Sequence, residues 1–252
     1  MEAVTLFKKK YHIDLRDVDF KKDLKLSVLF SYFQDIASEA AANLGAGIDL
    51  LEKEHNALWI LMRIRVDIAR LPKWDEDITI ETWPLEPKRL EFDRDYLVRD
   101  RNGEVIVRAI SAWVVMDKKE RKLKRASSIS LNYPSPIEER AIDSKLGKLK
   151  NTGIMETAYK RVIGYSDVDF NGYLNNSKYV DFIMDCFPIE AHKRMGAKTI
   201  EVNFINEALP GDVIILNIDT SATGSNKLYI EGVNEESQKT VFRAQVKIGE
   251  IH

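Results

Sequence analysis

Apolar side chains at Leu26, Leu29, Phe30, Phe33, Ile36, Ala37, Ala40, Ala41 and Leu44 recur three and four residues apart. That spacing gathers them on one face of an α-helix. It predicts a helix with Ser27 as its N-cap and Gly45 at the C′ position that stops it. Beyond it, residues 64–68, 78–83, 92–98 and 105–115 are rich in β-branched and aromatic side chains, and Asn102-Gly103 marks a hairpin between the last two. The same order then returns. A helix starting near Asn176 or Ser177 is expected to bury Tyr179, Val180, Phe182 and Ile183 and to end before Pro188. Strands are expected after it at 200–205, 213–218, 228–233 and 241–248.

The recurrence extends to individual residues. Asp17-Val18-Asp19-Phe20, Leu24, Ser27 and Asp35 come back 150 positions later as Asp167-Val168-Asp169-Phe170, Leu174, Ser177 and Asp185. Further on the offset shifts: Leu71-Pro72 answers Leu209-Pro210, and Arg108-Ala109 answers Arg243-Ala244. Each copy therefore reads as a strand, a long helix and an antiparallel meander. A lone helix must bury its apolar face against a sheet broad enough to wrap it. The expected class is α+β, a double hot-dog: one repeat over 1–127, a connection over 128–151, and a second repeat over 152–252.

Composition narrows the function classes. A net charge of −2 argues against bulk attraction to nucleic acid or to anionic membrane. Cys186 is the sole cysteine, so an intramolecular disulfide is excluded. The first residues carry lysines rather than an apolar signal segment, and no apolar run is long enough to span a membrane. No membrane insertion and a cytoplasmic location are expected. His12, His55, His192 and His252 lack ligand spacing, so neither a metal nor a cofactor is expected.

The copies differ where chemistry could sit. Asn171-Gly172-Tyr173 stands in the second where the first has Lys21-Lys22-Asp23. This segment lies just before a helix, whose N-terminal N–H groups can stabilise an oxyanion. Asp169 and Asn171, two apart, would point the same way in an extended loop, although Asp, Asn and Gly also simply build turns. Glu207 follows the next strand, and the Leu-Pro correspondence sets Ala69 opposite it. A structural role would be needed in both copies; a catalytic role needs only one.

The run Tyr-Ser-Asp-Val-Asp-Phe-Asn-Gly-Tyr-Leu-Asn-Asn-Ser-Lys-Tyr from Tyr165 to Tyr179 resembles the D-x-D-x-N-x-H-x-N-N-x-K-Y signature of the acyl-ACP thioesterases of plants and bacteria. The segments from Leu26 to Ala37 and from Ser111 to Asp117 add to the match. The resemblance implies a hydrolase that cleaves fatty acyl-ACP and ends chain elongation, with acyl carrier protein as partner. It places the family's catalytic Asp and Asn on Asp169 and Asn171 and its Glu on Glu207. The family's usual His is Tyr173 here, and the Cys after the Glu in plant members is Ala208. A phenol is a weak base at neutral pH, so Tyr173 is expected to position groups while Glu207 moves the proton. Lys148, Lys150, Lys160, Arg161, Lys193, Arg194 and Lys198 are candidate docking cations for an acidic carrier. The alternatives are an acyl-CoA thioesterase on the same scaffold and a non-catalytic acyl-binding protein. Monomer and homodimer are both compatible with a fused repeat.

Overall fold

The first repeat runs β1 (Phe7–His12), α1 (Leu26–Asn43), α2 (Ile48–His55), β2 (Ala57–Ile68), β3 (Asp77–Pro84), β4 (Glu91–Arg99) and β5 (Val105–Asp117). The second runs β6 (Met155–Val162), α3 (Asn176–Met184), α4 (Ile189–Arg194), β7 (Met195–Phe204), β8 (Val213–Asp219), β9 (Lys227–Asn234) and β10 (Thr240–Glu250). This computed structural model describes residues 3–129, 137–150, 153–221 and 226–250. The chain divides into two compact units, one up to Leu146 and one from Gly147 onward, with Lys25–Phe30 and Arg65–Ile68 grouped with the second.

The strand orders are the same in the two repeats: β1-β3-β4-β5-β2 and β6-β8-β9-β10-β7. Even the register repeats. His12 faces Asp77 across β1 and β3, and Val162 faces Val213 across β6 and β8. The α+β double hot-dog architecture expected from the sequence is the one observed. In the second unit Val180, Phe182 and Ile183 of α3 are fully buried, as are Ile200, Val202, Ile214, Leu216, Ile230, Phe242 and Val246 of the strands. Each such side chain contributes about 2–3 kcal/mol by leaving water.

Gly45 ends α1 as expected. At φ +82° its N–H bonds the Ala42 carbonyl, and the Ala46 N–H bonds that of Ala41, a Schellman closure. The start differs by two residues. Helix α1 begins at Leu26, with the Leu29 N–H on the Lys25 carbonyl, so Ser27 lies buried inside the first turn. Strand β2 begins at Ala57, well before residue 64, because Arg63 and Arg65 interrupt its apolar alternation while pairing with Glu91 and Asp67. Helices α2 and α4 were not foreseen. They are 8 and 6 residues long and bury at most Leu51, too little to show a periodicity.

Of the connection expected over 128–151, residues 130–136 and 151 lie outside the described residues. Residues 137–146 of this stretch pack on the first repeat, where Ala141 and Ile142 join Trp83, Leu97 and Ile110 in one apolar cluster, whereas Leu149 donates its N–H to Asn203 of the second. The Trp83 indole donates to the Glu139 carbonyl, and the buried Asp95 carboxylate accepts from Arg140 and from the Ala141 N–H.

The repeats hold their first turn by different pairs. In the first, the Tyr32 hydroxyl donates to Asp17 at 3.0 Å and its ring stacks on Tyr11. In the second, the positions of Tyr11 and Tyr32 are Arg161 and Phe182. Arg161 donates to the buried Asp167 and lies over the Phe182 ring at 4.6 Å. The swap exchanges a phenol for a guanidinium and leaves the turn intact.

Candidate active site

The loop that leads into α3 is a closed turn rather than an extended segment. The Asp169 N–H bonds the Tyr173 carbonyl at 2.8 Å, and the Gly172 N–H bonds the Asp169 carbonyl at 3.0 Å. The Asp169 carboxylate curls back to accept the N–H groups of Asn171 (2.9 Å) and Tyr173 (3.2 Å). Gly172 sits at φ +86°, a conformation that costs other L-residues about 1–2 kcal/mol. Asp169 and Asn171 therefore do not point in parallel, as an extended loop would require. The Asn171 side chain is exposed and makes no hydrogen bond among the described residues.

The first repeat builds the same turn. Its Asp19 N–H bonds the Asp23 carbonyl at 2.8 Å, and its carboxylate accepts from the N–H groups of Lys21 (2.7 Å) and Asp23 (3.2 Å). Lys22 takes the left-handed position at φ +64°. Here, however, the polar side chains pair with one another: Lys21 lies 3.8 Å from Asp19, and Lys73 lies 3.1 Å from Asp23. Holding this turn is thus a duty that Asp169 shares with Asp19. What the second repeat adds is Asn171, Tyr173 and Glu207.

Glu207 lies at the corner between β7 and β8. That corner is bonded to the loop: the Leu174 N–H reaches the Ala208 carbonyl at 3.0 Å, and the Ile163 N–H reaches the Asp212 carbonyl at 2.9 Å. The backbone bonds also correct the correspondence between the copies. Ile205 and Asn206 both donate to the Val241 carbonyl, as Ala69 and Arg70 both donate to that of Ile106. Leu174 bonds Ala208 as Leu24 bonds Pro72. Glu207 therefore answers Leu71, not Ala69; the first repeat still lacks a carboxylate there.

The start of α3 is more committed than a bare helix N-terminus. Asn175 caps it, its side-chain oxygen accepting the Ser177 N–H and hydroxyl at 2.9 Å each, and the Lys178 N–H bonds the Asn175 carbonyl. The Asn176 N–H is left as the first-turn amide without a bond among the described residues.

One residue that helical spacing assigns to the core belongs to this neighbourhood. Tyr179 is buried, but burial first and then the negative charges of Glu207, Asp169 and Asp212 push its phenol far above its ordinary value. Its ring packs against Phe204, the last residue of the strand that leads to Glu207, while Asn171 and Tyr173 are tied to Asp169 by the turn. Helical spacing alone gives no signal of this, but Tyr179 is the residue that closes the signature run, and Leu29 stands in its place 150 positions earlier.

Cys186 is no nucleophile in this arrangement. Burial and the neighbouring Asp185 push its thiol up to about 12, and it donates to the Phe182 carbonyl. Among the candidate docking cations, Lys160 pairs with Glu235, Arg161 with Asp167 and Asp185, and Lys193 with Glu190. No helix of the described residues is long and apolar enough to cross a membrane.

Comparison with known proteins bears on the whole chain. The model of the acyl-ACP thioesterase N-terminal domain matches residues 4–129, and that of the acyl-ACP thioesterase C-terminal domain matches residues 150–249. The chloroplastic oleoyl-acyl carrier protein thioesterase 2 of Arabidopsis thaliana is 24% identical over 230 residues, covering 85% of this chain and 63% of that protein. The chloroplastic palmitoyl-acyl carrier protein thioesterase of the same plant is 26% identical, covering 87% and 56%. The chain thus spans less than two thirds of the length of these curated relatives. Among solved structures, an acyl-ACP thioesterase from Bacteroides thetaiotaomicron superposes with a TM-score of 0.82 at 26% identity, covering 97% of this chain and 98% of that one. The 12:0-ACP thioesterase from Umbellularia californica gives the same TM-score at 21% identity, covering 98% of both, a likeness of fold.

Proposed function

The chain belongs to the acyl-ACP thioesterase family, and from that premise we propose that it hydrolyses fatty acyl-ACP to free fatty acid and ACP. The observation that carries the reading is the one-sided equipment of a two-sided scaffold. Both repeats fold the same Asp-anchored turn before a helix, α1 of 18 residues and α3 of 9, and only the second dresses it with Asn171, Tyr173 and Glu207.

In the proposed mechanism the Glu207 carboxylate takes a proton from a water molecule as that water adds to the thioester carbonyl. The Asn171 side-chain amide and the Asn176 N–H donate to the oxyanion that forms. Collapse of the tetrahedral intermediate breaks the C–S bond; the thiolate of the carrier leaves and takes up a proton, and the fatty acid departs. Asp169 keeps Asn171 and Tyr173 in register by holding both of their N–H groups. Tyr173 borders the thioester and orients it. A thiolate is a good leaving group, so no covalent intermediate is required. The partner is an acyl carrier protein bearing its fatty acyl chain, and the cytoplasm is the proposed location.

Glu207→Gln tests the assignment. The variant should fold with an unchanged melting temperature and lose on the order of 10²-fold or more in kcat. A near-normal rate removes Glu207 from the role of base.

A further inference from the structure

Helix α3 is half as long as its counterpart α1, 9 residues against 18. A helix this short is marginal on its own hydrogen bonds, so contacts from outside it must fix its place. Strand β6 supplies them. The Tyr159 hydroxyl donates to the Phe182 carbonyl at 2.7 Å, near the end of the helix. Arg161, two residues on along the same face of the strand, lies over the Phe182 ring at 4.6 Å. Its guanidinium then divides. Nη2 donates to the buried Asp167 at 3.2 Å, and Nη1 lies 3.5 Å from Asp185, the C-cap of α3. Asp167 is in turn joined to the other end of the helix. Its second carboxylate oxygen accepts the Gly164 N–H at 3.0 Å, and its carbonyl accepts the N–H of Asn175, the N-cap, at 2.9 Å. One side chain thus reaches both ends of α3. The first repeat has no such bridge. Its Tyr11, in the place of Arg161, donates to the Tyr32 carbonyl at 3.4 Å and stacks on the Tyr32 ring, whose hydroxyl holds Asp17. Asp35, the counterpart of Asp185, is exposed within α1 and makes no ion pair among the described residues.

We propose that Arg161 is a positioning residue, which fixes the start of α3, and with it the Asn176 N–H, by joining Asp167 to Asp185. The inference rests on thioester hydrolysis as proposed above, in which that amide meets the oxyanion. A guanidinium fork serves two carboxylates at once in a set geometry, which neither a phenol nor an ammonium can do. The turn itself needs no arginine, since the first repeat closes the same turn with a phenol on Asp17. What the arginine adds is the second arm. With Asp167 bonded to the N-cap and Asp185 at the C-cap, both held by one rigid group, α3 cannot slide along its axis away from the loop that carries Asn171.

Two variants test the bridge. Asp185→Asn removes the charge from its outer, exposed arm. Arg161→Tyr combined with Phe182→Tyr rebuilds the pair of the first repeat, so that a hydroxyl holds Asp167 and nothing reaches Asp185. Fatty acid release from a panel of saturated and monounsaturated fatty acyl-ACPs should be followed beside thermal unfolding. Turnover by the wild type decides the hydrolase reading on its own. Both variants should then melt close to the wild-type temperature and lose about 10-fold in kcat with little change in KM, as expected of a donor displaced by a fraction of an ångström. Wild-type kcat in the double variant overturns the proposal, because the guanidinium would then only hold the turn. Wild-type kcat in Asp185→Asn overturns it as well, and decides the matter should the double variant fail to fold. A loss of rate that merely follows a loss of melting temperature, or a rise in KM at constant kcat, counts against it equally.

Discussion

Removing one carboxylate from each repeat separates architecture from chemistry. Asp169→Ala deletes the acceptor for the N–H groups of Asn171 and Tyr173, and Asp19→Ala deletes the acceptor for those of Lys21 and Asp23. A hydrogen bond to a charged group contributes about 1.5–3 kcal/mol. Both turns are partly exposed, so water replaces much of what is lost, and about 1 kcal/mol per bond is the fitting share. Each variant should therefore lose about 2 kcal/mol, which for a chain of this size lowers Tm by about 4–8 °C. The two should differ sharply in activity. Without Asp169 the Asn171 amide drifts from the carbonyl, and a misplacement near 1 Å costs on the order of 10²-fold in rate. Without Asp19 hydrolysis should be nearly unchanged, because that turn borders no reacting group. Asp169→Asn keeps a side-chain oxygen for both amides and should recover most of the stability. Thermal unfolding and fatty acid release, measured on all three, decide the matter. An Asp19→Ala protein that is as inactive as Asp169→Ala while still folded would refute the division of labour between the repeats.

Gly172→Ala forces a side chain into a left-handed backbone and should cost about 1 kcal/mol, with a fall in kcat read in the same assay. Asn175→Ala removes the cap of α3 and should cost about 1 kcal/mol in denaturant unfolding, with activity lost in parallel as the Asn176 N–H loosens. With its thiol pushed up to about 12, Cys186 should react slowly with iodoacetamide at neutral pH, and treated enzyme should keep its rate. Rapid inactivation traced to that cysteine would contradict its placement as a packed, carbonyl-bound thiol.

How much of this was legible in the sequence depends on how local the governing physics is. The buried face of α1, its stop at Gly45 and the burial of one face of α3 all follow from periodicity and one left-handed residue, and the structure agrees at each, though α1 starts two residues earlier than expected. The pairing of Glu207 with Ala69 failed because matching letters, Leu-Pro with Leu-Pro, were aligned two residues away from matching backbone. The doubled bonds to the Ile106 and Val241 carbonyls fix the true offset, and nothing in the letters reports them. Asp169 was legible as a polar residue before a helix. Its turn-holding carboxylate was not separable from a reacting one until the same bonds were seen on Asp19.

The central claim is that this scaffold hydrolyses fatty acyl-ACP through its second repeat. Free fatty acid released from fatty acyl-ACPs and from matching acyl-CoAs, at low and high salt, tests it most directly. The account predicts turnover that favours the ACP substrates, with a KM that rises steeply with ionic strength as docking to an acidic carrier weakens. Equal or better turnover of acyl-CoA, insensitive to salt, would contradict it.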